Sequence, residues 1–98
     1  QPAPLAPSTP PIPEAPLPYR TYILQSIRIP SLTYVGYTHL PVSQRLTRHN
    51  EGAVPSTANH RPWRLAFACA FPNKQQALDF ERYLKSHSGK AFTAKHLL

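Results

Sequence analysis

A chain of 98 residues with 11 Lys/Arg against 4 Asp/Glu has room for one small domain and carries a net charge of +7. That balance favours a polyanionic partner, most often nucleic acid, over charge that serves solubility alone. A lone cysteine, Cys69, excludes an internal disulfide and a cysteine-based zinc site, and no apolar run reaches membrane-spanning length.

Eight of the 13 prolines fall within residues 1–18, where the one charge is Glu14. Pro4, Pro7, Pro10, Pro13 and Pro16 recur at every third residue, the period of a polyproline II rod. Residues 1–18 are therefore expected to be an extended or unfolded spacer, with binding to a proline-reading module as the alternative. Residues 19–98 are expected to be the folded domain, and they retain every basic residue against three carboxylates. A chain that opens at Gln1 and lacks Met reads as a fragment or processed form. Nothing in it resembles a signal or transit peptide, and a single apolar-flanked cysteine fits a reducing compartment, so a cytoplasmic protein is expected.

Order is expected to begin near Tyr19. Residues 19–26, YRTYILQS, are rich in aromatic and branched side chains and read as a strand. Residues 27–30 form a connection, and 31–38, SLTYVGYT, read as the next strand, paired to the first as an antiparallel hairpin. Pro41 suits the first turn of a helix running to about residue 51, and Gly52 suits its stop. Residues 52–62, with Gly, Pro, Ser, Thr and Asn and no periodicity, read as a loop.

The run WRLAFACAF at 63–71 alternates strictly, predicting a strand with Trp63, Leu65, Phe67, Cys69 and Phe71 on one face. The alanines on its other face leave room for a close helix. Asn73 is a good N-cap for a helix ending near residue 86, with Gln76 placed as its capping-box partner. SHSGK reads as a turn and AFTAKHLL as a short terminal helix. The sum is an α+β domain: a three-stranded, largely antiparallel sheet flanked by helices.

Within this frame a few residues stand out. A strand would hold Tyr34 rigidly, and Gly36 beside it would let backbone or ligand come close. On the first helix Val42 and Leu46 stand four apart, as do Arg45 and His49, so a cation and an imidazole border the buried stripe. On the later helix Glu81 falls inside the apolar arc of Ala77, Phe80 and Leu84. A carboxylate there needs a partner, either a metal ion or a structural arginine, unless it snorkels at the edge.

These residues also resemble a known family. From Tyr19 to about Gly89 the chain is similar to the GIY-YIG endonuclease domain. Tyr34-Val35-Gly36 matches the second signature motif, and Arg20-Thr21-Tyr22 stands at the first, where only the tyrosine is kept. Arg45, with His49 and Asn50 behind it, matches the family's first helix, one residue farther from the motif glycine than usual. FPNKQQALDFERYLK resembles the segment that carries the metal-binding glutamate and places it at Glu81. RPWRL and LKSHSGKAF look like the small stand-alone bacterial branch. Tyr37 stands where some members carry lysine, and no asparagine follows the glutamate helix.

The resemblance implies hydrolysis of a DNA phosphodiester with one divalent ion. In that reading Tyr34 is the base for water, Arg45 grips the phosphate with its planar fork, and Glu81 binds Mg²⁺ or Mn²⁺. His49 helps the phenol lose its proton or orients the water, and Tyr22 supplies a second hydroxyl. Arg48, Arg61, Arg64, Lys85 and Lys90 are candidates for phosphate contacts that position a strand without reading its sequence. By analogy with small members, the expected substrate is single-stranded or branched DNA with weak sequence preference. Two other readings stay open: a nucleic-acid-binding module on this fold without catalysis, and a proline-tailed interaction domain.

Overall fold

The structure is a computed structural model that describes residues 17–98. All but the last two residues of the expected proline-rich tail lie outside the described residues. Strand β1 (Tyr19–Ser26) and strand β2 (Thr33–Thr38) form the expected antiparallel hairpin. Helix α1 (Val42–Asn50) follows, and its ends fall within one residue of the predicted ones. Then come a four-residue helix α2 (Pro55–Ala58), strand β3 (Trp63–Phe71), helix α3 (Lys74–Lys85) and helix α4 (His87–His96). The sheet order is β2-β1-β3 and every pairing is antiparallel. The α+β architecture read from the sequence is the one observed.

β1, the central strand, divides the core. Tyr22 and Leu24 are fully buried on one face and form a cluster with Trp63, against which Tyr34, Val42 and Leu46 pack. Helix α1 covers this face because Val42 and Leu46 fall one turn apart on its inner side. On the other face Thr21 Oγ1 donates to the Ala77 carbonyl at 2.7 Å, fastening α3 to β1. There Phe80 lies between Phe67 and Phe71, with ring centroids at 6.4 and 5.8 Å.

The strict alternation of β3 does not survive folding. The register steps at Ile23/Leu24, where Phe67 faces Ile23 but Leu65, not Ala66, faces Leu24. Inserting one residue in a ladder reverses which face later side chains occupy. Trp63 therefore joins Tyr22 and Leu24 on the α1 face, while Phe67 and Phe71 meet α3 on the other. Leu65 is left 40 % exposed, and Ala68, opposite Tyr22, is exposed.

The turn expected at SHSGK is also replaced. Ser86 ends α3 and caps α4, its hydroxyl oxygen accepting from the Gly89 N–H at 3.1 Å. Gly89 lies inside α4 because the two helices meet there: a Cβ on it would stand 1.8 Å from the Tyr83 carbonyl oxygen. Its role is close packing, not chain reversal. Asn73 caps α3 as expected, its Oδ1 accepting from the N–H groups of Gln75 and Gln76 at 2.7 and 3.3 Å. The reciprocal bond from the Gln76 side chain does not occur among the described residues.

Candidate active site

Gly36 faces Tyr22 across the β1–β2 ladder. A Cβ on Gly36 would lie 2.5 Å from both Cζ and Oη of Tyr22 and 2.9 Å from the Tyr34 ring. What the glycine admits is thus the Tyr22 phenol, which lies across β2 beside Tyr34, with ring centroids 6.3 Å apart. α1 supplies the third ring. The His49 imidazole is fully buried, with its centroid 4.9 Å from Tyr34 and 5.9 Å from Tyr22.

Hydrogen bonds turn this cluster into a chain. Tyr22 Oη and His49 Nε2 are 2.9 Å apart, and His49 Nδ1 and Thr57 Oγ1 are 2.7 Å apart. The Thr57 hydroxyl has one proton, and its other neighbour is the Val54 carbonyl, which it reaches at 3.3 Å. If Thr57 donates to Val54, then Nδ1–H must donate to Thr57, and bare Nε2 accepts the Tyr22 O–H. The Tyr22 hydroxyl, both His49 ring nitrogens and the Thr57 hydroxyl are then all satisfied. The opposite tautomer gives up the Val54 bond and leaves the buried Tyr22 O–H without an acceptor. The proton arrangement is assigned on that count: Tyr22 O–H to His49 Nε2, and His49 Nδ1–H to Thr57.

Thr57 carries no signal in the sequence, where it sits in a stretch without periodicity. It is fully buried at α2 because Trp63 holds that segment, the indole N–H donating to the Thr57 carbonyl at 2.9 Å. Asn50, the last residue of α1, ties the same strand end. Its Oδ1 accepts from the Trp63 N–H at 2.6 Å and its amide donates to the Trp63 carbonyl at 3.0 Å. Helix α1, the α2 segment and β3 are thereby locked around the imidazole.

The electrostatics follow from burial. Removal from water, reinforced by the nearby Arg45 cation, lowers the His49 pKa to about 4, so the imidazole is neutral at pH 7. Burial raises the Tyr22 pKa; the Arg45 guanidinium beside it pulls the other way, and Tyr34 and Glu81 add to the rise. One phenol therefore feels Arg45, Tyr34 and Glu81 together.

Arg45 is poised to take an anion. Its Nε is buried without a hydrogen-bond partner, and the ion pairs among the described residues, Arg82–Asp79 and Lys85–Glu81, leave it out. Glu81 is 19 % exposed and its Oε2 accepts from Lys85 Nζ at 3.0 Å, so its partner is the lysine one turn on, not an arginine. No group of three or more His, Cys, Asp or Glu side chains able to hold a metal occurs among the described residues. Glu81 does fit a hard divalent ion that takes one carboxylate and fills its other positions with water and phosphate oxygens. Lys85, exposed and flexible, is readily displaced.

The candidate phosphate contacts are dispersed. Arg48 and Lys90 are exposed, and their side chains make no hydrogen bond among the described residues. Arg64 is engaged with Gln25, and Lys85 with Glu81. Arg61 Nε donates to the Ala58 carbonyl at 2.7 Å, and its guanidinium lies against Gly52, whose φ of +81° marks the helix stop. Arg61 thus helps hold the segment that carries Thr57.

The candidate site thus brings a neutral imidazole bonded to a phenol and a guanidinium without a carboxylate partner onto a small α+β domain with a net positive charge. The GIY-YIG catalytic domain matches residues 18–95, and the chain belongs to that family, whose chemistry is that of an endonuclease. It is 36 % identical over 84 residues to a protein of Malassezia globosa described as structure-specific endonuclease subunit SLX1. That match covers 80 % of this chain and 18 % of the relative, so the chain spans less than a fifth of that protein's length. A solution NMR structure of a UPF0213 protein from Bacillus halodurans is similar at 30 % identity and a TM-score of 0.47, covering 79 % of this chain and 82 % of that one.

Proposed function

We propose that the domain is a metal-dependent endonuclease cutting single-stranded or branched DNA with weak sequence preference. The observation that carries this reading is the buried Tyr22–His49–Thr57 chain beside Arg45, which has no carboxylate partner among the described residues. The resemblance gave the base role to Tyr34, but the hydroxyl joined to the imidazole is that of Tyr22, and Tyr34 makes no hydrogen bond among the described residues. Tyr22 therefore takes the proton of the attacking water while its own passes to His49 Nε2. Neither group has to be ionised beforehand, which suits a phenol whose pKa is raised and an imidazole whose pKa is lowered.

Arg45 binds the scissile phosphate through its planar fork and stabilises the charge that builds on it. As it swings onto the phosphate, it gives water access to the Tyr22 hydroxyl. Tyr34, on the open side of Tyr22, orients that water. Glu81 holds a divalent ion, Mg²⁺ or Mn²⁺, which supplies further neutralisation at the phosphate. Arg48 and Lys90, with Arg64 and Lys85 once released from their present partners, grip the flanking backbone.

A binding module without catalysis is the second reading, favoured by the tyrosine at position 37 where some relatives carry lysine. Labelled single-stranded, forked and duplex DNA incubated with Mg²⁺, Mn²⁺ or EDTA separates the two. Metal-dependent cleavage of the first two substrates, lost in Glu81→Ala, is expected. Binding without cleavage under every condition would establish the second reading instead.

A further inference from the structure

On the far side of Tyr34 from the imidazole, along the outer edge of β2, lies a hollow of about 450 Å³ between that strand and helices α3 and α4. This is within the usual range of small-ligand sites, roughly 300–1,000 Å³. Its walls are mostly apolar, with Val35, Leu84, Ala94 and Leu98 among them. Two of its lining residues belong to the candidate active site as well: Tyr34, whose ring packs on His49, and Lys85, which pairs with Glu81. The hollow therefore adjoins the candidate active site through these two residues.

Two further observations bear on the occupant. Thr93 lines the hollow, is 7 % exposed, and its hydroxyl oxygen is buried without a hydrogen-bond partner. A buried hydroxyl left unpaired costs free energy unless a ligand completes it. The charged side chains lining it are Lys85, which pairs with Glu81, and Lys90, which is exposed and makes no hydrogen bond among the described residues. Apolar walls, one unsatisfied hydroxyl and an exposed lysine suit a flat heteroaromatic ring with polar edges on an anionic chain.

We propose that the hollow receives one unstacked nucleobase of the DNA strand, adjacent to the scissile phosphate, with Thr93 bonding its edge and Lys90 its phosphate. The inference rests on the nuclease reading for its substrate class and adds a reason for the substrate's shape. An extruded base costs least where the strand is already unpaired, so such a pocket selects single-stranded or branched DNA over duplex.

The test uses the 98-residue chain and forked oligonucleotides carrying 2-aminopurine, or an abasic site, at successive positions around the cut. Fluorescence is read with EDTA present, so it reports binding and not cleavage. One position should brighten on binding, and an abasic site there should weaken binding about tenfold. Ala94→Trp, which fills the hollow, should abolish both the brightening and the discrimination. Thr93→Val, which removes the hydroxyl and keeps the shape, should reduce discrimination severalfold without changing the melting temperature by much. If no position brightens and neither variant changes the discrimination while the wild type still cleaves, the pocket assignment is overturned and the nuclease reading stands. Brightening at one position without any cleavage would overturn the nuclease reading and support the pocket.

Discussion

At the residue scale the decisive group is one the sequence does not advertise. Thr57 presents an oxygen to His49 Nδ1 because its own proton goes to Val54, and this fixes which imidazole nitrogen is free to accept from Tyr22. Thr57→Val keeps the shape and removes that acceptor. It should slow cleavage roughly 10- to 100-fold with little change in DNA affinity. Nitrogen NMR should show the Nδ1–H tautomer of His49 in the wild type and a mixture in the variant. A wild-type imidazole carrying its proton on Nε2 would contradict the assigned chain.

The same histidine makes stability depend on pH, with a definite sign. Its folded pKa, about 4, lies below the ordinary histidine value of 6.5. The unfolded chain therefore binds a proton first as pH falls, so stability is complete above about 6.5 and drains away down to about 4, by up to roughly 3 kcal/mol. Denaturant melts at pH 7 and pH 5 should differ in that direction, and His49→Gln should flatten the difference.

At the element scale the site depends on how closely β1 and β2 approach. Gly36→Ala places a methyl group where the Tyr22 hydroxyl now lies, so the phenol must leave His49 or the strands must part. Cleavage should fall at least about 100-fold, and the melting temperature should drop by roughly 5 °C or more. Circular dichroism and single-turnover assays on the variant check both effects.

Much at this scale is legible in the sequence. β1 and β3 fall where aromatic and branched residues cluster, and α1 and α3 fall where the apolar period and Asn73 place them. The bulge in β3 is not legible, because a one-residue insertion leaves the alternating pattern of WRLAFACAF untouched while moving Trp63 to the opposite face. Gly89 misleads for a related reason: a glycine demanded by helix contact looks the same as one demanded by a turn. The site divides likewise. Tyr34, Arg45 and Glu81 are visible through motif and periodicity, whereas the hydrogen bond that joins Tyr22, not Tyr34, to His49 depends on ring positions that no spacing encodes.

At the scale of the whole molecule, 11 basic residues against 4 acidic ones make a nucleic-acid strand the natural partner. Affinity for single-stranded DNA should fall steeply with salt, roughly 50-fold between about 50 and about 200 mM if four phosphates are contacted. Filter binding or anisotropy across that range gives the slope. An affinity indifferent to salt would count against every nucleic-acid reading.

The most direct test of the proton path compares single-turnover cleavage of one forked DNA by the wild type, Tyr22→Phe and Tyr34→Phe, all at saturating protein and Mg²⁺. Loss of the hydroxyl bonded to His49 should cost about 100-fold or more in rate while DNA binding is retained, and Tyr34→Phe should cost less. A Tyr22→Phe protein that cleaves at the wild-type rate, or a Tyr34→Phe protein that is the more impaired of the two, would contradict the assignment of Tyr22 and His49 as the pair that takes the water's proton.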